Sequence, residues 1–427
     1  MVNDFTEKSE LRFLLNPIVL SALLCSLVIY SNSGVFSAKR IFFTSGIKKD
    51  SICVLYGKVK GNPFKQRQFY KVTLDVFSVE NKDGVRCSGK GRVEAYIPEK
   101  FVEKWYPGKL YTESDTANGN DVGIPVEDGT NLILSGYFSS DVFYVQNIVT
   151  KPFSAGVYGR LLYFRAMCRL QFKRLMFAWG EAGGLLLALL SGSREYVDDN
   201  LSKAFKAAGL SHIMALSGMH LSLFSGIAVF LGKKAKNKKI EFLLQSSFIL
   251  FFVWFAGISP SLFRALLCSS LMLFSSLAGS RPRPLHILSW AFLLHVFIFP
   301  EHVFFQAFIL SYGALAGILT FGEVIKPAIM HNVPELISSN FSSSLGAQIF
   351  TAPYSLFVFK SFMPVCTVAT IIVSPAVTAF MYFGLLFIVL SFFLPFLSSA
   401  FGVIMQLLYY AVKIPVIFFS KMPAFYV

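Results

Sequence analysis

Two kinds of hydrophobic pattern divide this 427-residue chain. Residues 11–30 form one apolar run. From 183 onward such runs follow one another at 183–190, 209–232, 242–258, 261–278, 285–299, 302–321, 345–359, 363–394 and 400–419. About 20 mainly apolar residues, rising about 1.5 Å each, span a bilayer core. The runs therefore predict a helical membrane domain, with 183–190 short and the proline-bearing 363–394 broken. Between 31 and 154 the period changes to two. Apolar and polar residues alternate at 51–60, 69–77, 92–97, 131–138 and 141–146, between turn residues such as Asp83 and Gly84. That pattern predicts short half-buried strands, enough for a small sandwich or barrel, and an OB-like barrel fits the size.

The order of these patterns predicts four parts. Residues 1–30 read as a membrane anchor. The apolar run is too long for a signal-peptide core, and Tyr30, Ser31, Asn32 and Ser33 make a poor cleavage site. Residues 31–154 form the β domain. Residues 155–182 read as a basic amphipathic helix, because Arg165, Arg169 and Lys173 recur every four residues beside Arg160 and Arg174. Such a helix lies in the membrane interface with its cations at the head groups, and a nucleic-acid contact is the second reading. Residues 183–427 form the multi-helix transmembrane domain. The fold class is thus a polytopic α-helical membrane protein with a small extramembrane β-barrel.

Composition agrees with this class. Apolar residues make up 54% and charged residues only 15%, where a soluble protein has about a quarter charged. The net charge of +15 points to cytoplasmic basic loops, or to an anionic lipid or nucleic-acid partner. Lysines crowd 233–239, and Arg281 and Arg283 form a second basic loop. If both face the cytoplasm, the helices between them form a hairpin turning near 257–260, and the β domain lies outside. Lys39, Arg40, Lys48 and Lys49 pull the other way. None of the six cysteines has metal-ligand spacing. Cys53 and Cys87, both in the β domain, are a candidate disulfide in an oxidising compartment.

The stretch with most chemical content runs from Leu189 to Leu221. His212, Ser217 and His220 sit in an apolar segment predicted to be one helix, where polar groups face a cavity or a partner helix. His212 and His220, two turns apart, are too distant to share a metal on a continuous helix, and no cofactor is expected. Ser217 and His220 can form a hydrogen bond across i, i+3. As a nucleophile pair they lack an acid and an oxyanion hole, so a helix contact is the plainer reading and no enzyme activity is expected. Gly218 permits close helix approach. Arg264, in a long apolar stretch, either lines an anion path or snorkels from a helix end. Gly313 and Gly317 form a packing pair.

Gly209-Leu210-Ser211-His212 together with Ser217-Gly218-Met219-His220 resembles the signature of ComEC-type competence proteins. Further resemblances follow in order. Gly257 to Ala265 resembles a Gly-x-x-x-Ser-x-x-Arg-Ala element. Phe308 to Tyr312, including Ser311, resembles a Phe-Gln-Leu-Ser-Phe element, with Ile309 where glutamine is usual. Ala347 to Pro353 and Ser374 to Ala376 resemble later helices, and Thr370 stands where asparagine is common. The resemblance implies an inner-membrane channel of bacteria that passes single-stranded DNA into the cytoplasm during natural competence. The channel would be lined by His212, Ser217, His220 and Arg264, with Arg165, Arg169, Lys173 and Arg194 as DNA contacts. Phe69, Tyr70, Tyr96 and Tyr137 would offer stacking faces, though strands use such residues for packing too. Implied partners are single-stranded DNA, membrane lipid, a DNA receptor, a separate nuclease, a cytoplasmic helicase and further copies of the chain. Many members carry a metallo-β-lactamase-like domain. The chain has no His-x-His-x-Asp-His cluster, so a form without that domain is expected. A transporter of another anionic solute on the same scaffold is the alternative.

Overall fold

The computed structural model describes residues 16–31, 43–46, 48–103, 125–234, 237–280, 282–330, 334–423 and 425–426. Lys39, Arg40, Arg281 and part of the lysine-rich loop lie outside them. Helix α1 spans Pro17–Ser31 and β1 spans Phe43–Ser45. The long strands β2 (Ile52–Gln66), β3 (Phe69–Asn81) and β4 (Arg86–Pro98) follow, then a helical turn α2 (Glu99–Val102), β5 (Asn131–Ser139) and β6 (Val142–Lys151).

The strand order is β1-β4-β3-β2-β5-β6, and a parallel β4–β6 pairing joins the ends of β2–β6 into a five-stranded barrel. The alternation seen in the sequence points Leu55, Tyr70, Leu74, Ala95, Ile97, Leu134 and Phe143 inward, all fully buried. Closure needs bends. One falls at the β5–β6 register shift after Ser135, where a Cβ on Gly136 would lie 2.0 Å from the Tyr144 carbonyl oxygen.

Cys53 and Cys87 fall on β2 and β4 with β3 between them. Strands spaced about 4.8 Å apart put flanking strands roughly 10 Å apart, beyond disulfide reach. Both thiols are free, which corrects the expected bridge.

Helix α3 (Val157–Ala178) leads from the barrel to α4 (Gly180–Ser191). Its Leu170 and Met167 pack on the barrel core and its Met176 on the bundle core. The bundle contains α5 (Asp199–Ala207), α6 (Ser211–Met214), α7 (Gly218–Lys234), α8 (Lys238–Ala256), α9 (Pro260–Leu277), α10 (Pro284–Ile298) and α11 (Gln306–Gly317). After one π turn come α12 (Glu323–Met330), α13 (Glu335–Phe359), α14 (Cys366–Phe393) and α15 (Ser398–Ser420).

Among the described residues, five stretches are long and apolar enough to cross a membrane: Lys239–Ala256, Pro260–Leu277, Gln306–Ala328, Cys366–Phe393 and Pro395–Ser420. The short α4 is buried at the centre. Its Leu185–Leu190 stretch packs on Val373, Val377 and Phe380 of α14 and Met405, Tyr409 and Val412 of α15.

Two expectations change here. The 363–394 segment is not broken: α14 runs continuously through Pro375. Proline removes a single ladder hydrogen bond, and packing on both sides carries the helix across it. The 209–232 segment is not one helix. Ala215 is extended (φ −84°, ψ 137°) and separates α6 from α7. At the expected packing pair, a Cβ on Gly317 would lie 2.3 Å from the Gly346 carbonyl oxygen, so α11 and α13 cross backbone to backbone.

Candidate functional site

The break at Ala215 gives the signature residues their geometry. Ser217 precedes the first turn of α7, and His220 folds back onto it. His220 Nδ1 accepts the Ser217 backbone N–H at 3.2 Å and lies 3.1 Å from the Ser217 hydroxyl. An N–H can only donate, so Nδ1 carries no proton and the proton of neutral His220 sits on Nε2. The arrangement is the return half of a capping box, with histidine in the place of glutamate. His220 is fully buried, and Nε2 has no partner among the described residues.

Arg264, from the first turns of α9, lies over this helix start. A Cβ on Gly218 would sit 3.2 Å from its Nη2. Its Nη1 donates to the Ser311 carbonyl of α11 at 2.8 Å. Its Nε is buried without a partner, and no carboxylate of the described residues pairs with it. The structure therefore gathers Ser217, Gly218, His220, Arg264 and Ser311 from three helices. Ser311 contributes its backbone oxygen.

His212 belongs to a different place. Its Nδ1 donates to the Gly209 carbonyl at 3.2 Å, and its ring lines a cavity of about 390 Å³. Lys206, Gln348, Thr351, Ser355 and Thr370 line the same cavity, with no carboxylate in the lining. The two histidines of the signature thus serve two sites. Arg194 braces the link between them, donating to the Met214 carbonyl at 3.4 Å.

The basic stripe of α3 turns inward, which corrects its reading as a head-group or DNA-contact face. Arg165, Arg169 and Lys173 are 3%, 1% and 1% exposed. Arg169 and Lys173 pair with Glu127 at 3.0 and 2.8 Å, Lys173 also with Glu195 at 2.9 Å, and Arg165 with Asp128 at 3.3 Å. The arginines also cap the end of α8. Arg165 donates to the Trp254 carbonyl, and Arg169 to that of Phe255 at 3.0 Å. Asn62 of β2 donates to Ala256 beside them at 2.6 Å. These are last-turn carbonyls with no helical partner, and they take cations well. Gly257 follows with φ +93°, and a Cβ there would lie 2.8 Å from both Arg165 and Asn62. Burial pushes the Glu127 carboxyl up, but Arg169 and Lys173 outweigh it and hold the group down to about 2. Burial opposes the charge on Lys173, yet Glu127 and Glu195 keep its ammonium above the usual lysine range.

Two groups of residues escaped sequence reasoning. Glu127 and Asp128 could have been matched to the three cations by charge alone. A second network left no sequence signal. Tyr312 donates to the Ala291 carbonyl at 3.0 Å, so His295 Nδ1 donates to the Tyr312 oxygen at 3.2 Å. His302 Nδ1 then donates to His295 Nε2 at 3.0 Å. Next to His302, Glu301 pairs with Arg92 of the barrel at 2.9 Å.

The profile of the family described as "Competence protein" matches residues 189–427, more than half of the chain and all of the signature site. The chain is 28% identical over 186 residues to ComE operon protein 3 of Bacillus subtilis (strain 168), covering 43% of this chain and 23% of that protein. It is 25% identical over 192 residues to Recombination protein 2 of Haemophilus influenzae, covering 42% and 24%. The chain thus spans less than a quarter of the length of either relative. No solved structure matches it.

Proposed function

This chain belongs to the ComEC-type competence protein family, and from that premise we propose that it is a cytoplasmic-membrane component of DNA uptake whose bundle passes single-stranded DNA. Arg264 carries the reading. A cation inside a membrane domain normally has a carboxylate beside it. Arg264 has two helix backbones and an unpartnered Nε instead. A phosphodiester is the kind of anion that completes such a site. The cavity beside His212 supports the same chemistry, offering hydroxyls, an amide and the Lys206 amine with no carboxylate to repel a polyanion. The chain acts as a conduit in this reading, and Ser217 and His220 shape a helix start without performing a reaction.

Orientation has its own support. The barrel docks at the end of α8 through Asn62, Arg165 and Arg169. The helix has 19 residues, so the lysines at its start lie about 27 Å away along the axis. Barrel and basic loop therefore belong to opposite faces of the bilayer, and the positive-inside rule favours the outer face for the barrel. We read the barrel as OB-like, on its five strands and its one parallel closure. A DNA receptor, a nuclease supplying single strands, a cytoplasmic helicase and further copies of the chain are the partners this role calls for.

The test is transformation frequency in a deletion strain of a competent host, complemented with wild type or Arg264→Gln at matched membrane levels. Wild type is expected to restore uptake, and Arg264→Gln to stay at the deletion background. Uptake unaffected by the deletion would overturn the DNA reading in favour of another anionic solute.

A further inference from the structure

Gly209 brings together three side chains from distant parts of the chain. It takes φ +74°, and a Cβ there would lie 2.9 Å from the Cβ of Cys366 and 3.3 Å from that of Met363. Having no side chain, it lets the start of α14 close onto the turn before α6. Its carbonyl accepts two hydrogen bonds, one from the Cys366 thiol at 3.3 Å and one from His212 Nδ1 at 3.2 Å. Thiol and imidazole thus meet on one oxygen, although 157 residues separate Cys366 from Gly209. His212, Met363 and Cys366 all line the cavity of about 390 Å³, and His212 is solvent-accessible. A neutral imidazole whose Nδ1 donates a proton carries its free lone pair on Nε2. A backbone carbonyl on Nδ1 is the contact that fixes the tautomer and ring of a metal-binding histidine.

We propose that His212, Cys366 and Met363 form a binding site for a soft monovalent metal ion of the Cu(I) class in the wall of this cavity. Three features select that ion. First, the donors are a thiol, a thioether and an imidazole, the set that Cu(I) prefers, whereas hard cations take oxygen ligands. Second, the charge fits. No carboxylate lines the cavity, and Lys206 does. A divalent ion would face that ammonium with a single thiolate to offset it, while a monovalent ion and one thiolate sum to zero. Third, the thiolate has a donor in reach, because Gln348 hydrogen-bonds the Cys366 sulfur. Binding is a ligand exchange with no change of oxidation state. The Cys366 S–H bond breaks, a bond from Sγ to the metal forms, and the proton leaves to solvent. The Gly209 carbonyl gives up the thiol and keeps His212, so the ring stays oriented while Nε2 takes the ion. Met363 is unbranched, and its rotatable bonds let Sδ reach the third position. The site does not depend on what passes through the bundle, so it stands apart from the DNA reading.

The experiment titrates the full chain, in zwitterionic nanodiscs without oxygen, into Cu(I) held as its coloured bicinchoninate complex under ascorbate. Loss of colour reads the copper withdrawn. Wild type is expected to withdraw one equivalent more than Cys366→Ser, because serine keeps a hydrogen bond to the Gly209 carbonyl without the soft donor. His212→Gln is expected to weaken that equivalent by roughly tenfold or more, and Met363→Leu to weaken it less. X-ray absorption of the copper-loaded wild type is expected to show sulfur and nitrogen neighbours together, with the nitrogen lost in His212→Gln. An unchanged circular dichroism spectrum checks the fold of each variant. Equal withdrawal by wild type and Cys366→Ser overturns the site. A loss in Cys366→Ser with full affinity in His212→Gln and an all-sulfur shell marks ordinary capture by a thiol, and overturns it too.

Discussion

Glu127→Gln tests how the barrel is held to the bundle. The carboxylate is 2% exposed and bridges Arg169 at 3.0 Å and Lys173 at 2.8 Å. Its pKa of about 2 lies below the ordinary value near 4.3, a gap corresponding to roughly 3 kcal/mol of stability at neutral pH. Removing one partner of a buried ion pair costs about 3–5 kcal/mol, because the remaining charge stays buried. The two routes agree. Glutamine leaves Arg169 without its carboxylate, while Lys173 keeps Glu195.

The sign follows from the depressed pKa. Stabilisation is complete above about 4.3, falls to near half at about pH 3, and is lost as pH drops through about 2. The assay is guanidinium unfolding of the full chain in micelles, followed by tryptophan fluorescence, since Trp179 and Trp254 border the joint. The variant is expected to be about 3 kcal/mol less stable at pH 7, with the gap to wild type narrowing below about pH 4.3. A gap under about 0.5 kcal/mol at pH 7, or one that does not change with acid, would refute the reasoning.

Two further outcomes follow from packing and from strand order. Gly317→Leu is expected to destabilise the bundle by at least about 2 kcal/mol in the same assay, because a side chain there meets the Gly346 carbonyl oxygen and the two helices must separate. All six cysteines are expected to react with maleimide after unfolding without reductant, and the chain to migrate identically with and without reductant; protection of Cys53 and Cys87 would show that β3 does not keep them apart.

Much of the signature site was legible in the residue order. The residue order alone marks His212, Ser217, Gly218, His220, Arg264 and Ser311, and five of them meet in space. How they meet was not legible. The apolar run through 209–232 conceals the break at Ala215, because an extended residue between two helices can be as apolar as a helical one. The break separates His212 from His220 and turns Ser217 and His220 into a helix cap. The network of Tyr312, His295 and His302 went unseen because each residue stands alone in an aromatic-rich stretch.

What the sequence determined by itself was the period of each segment: two in the barrel, apolar runs of bilayer length in the bundle, and a four-residue recurrence of cations in α3. Periodicity reports which residues share a face, since backbone geometry alone sets it. Which way a face turns depends on what stands opposite. Arg165, Arg169 and Lys173 form the stripe their spacing predicts, but Glu127 and Asp128, some forty residues earlier in the chain, draw it into the interior. A buried cation is stable only beside the carboxylates and carbonyls that compensate it, and those partners come together only when barrel and bundle close on the helix between them.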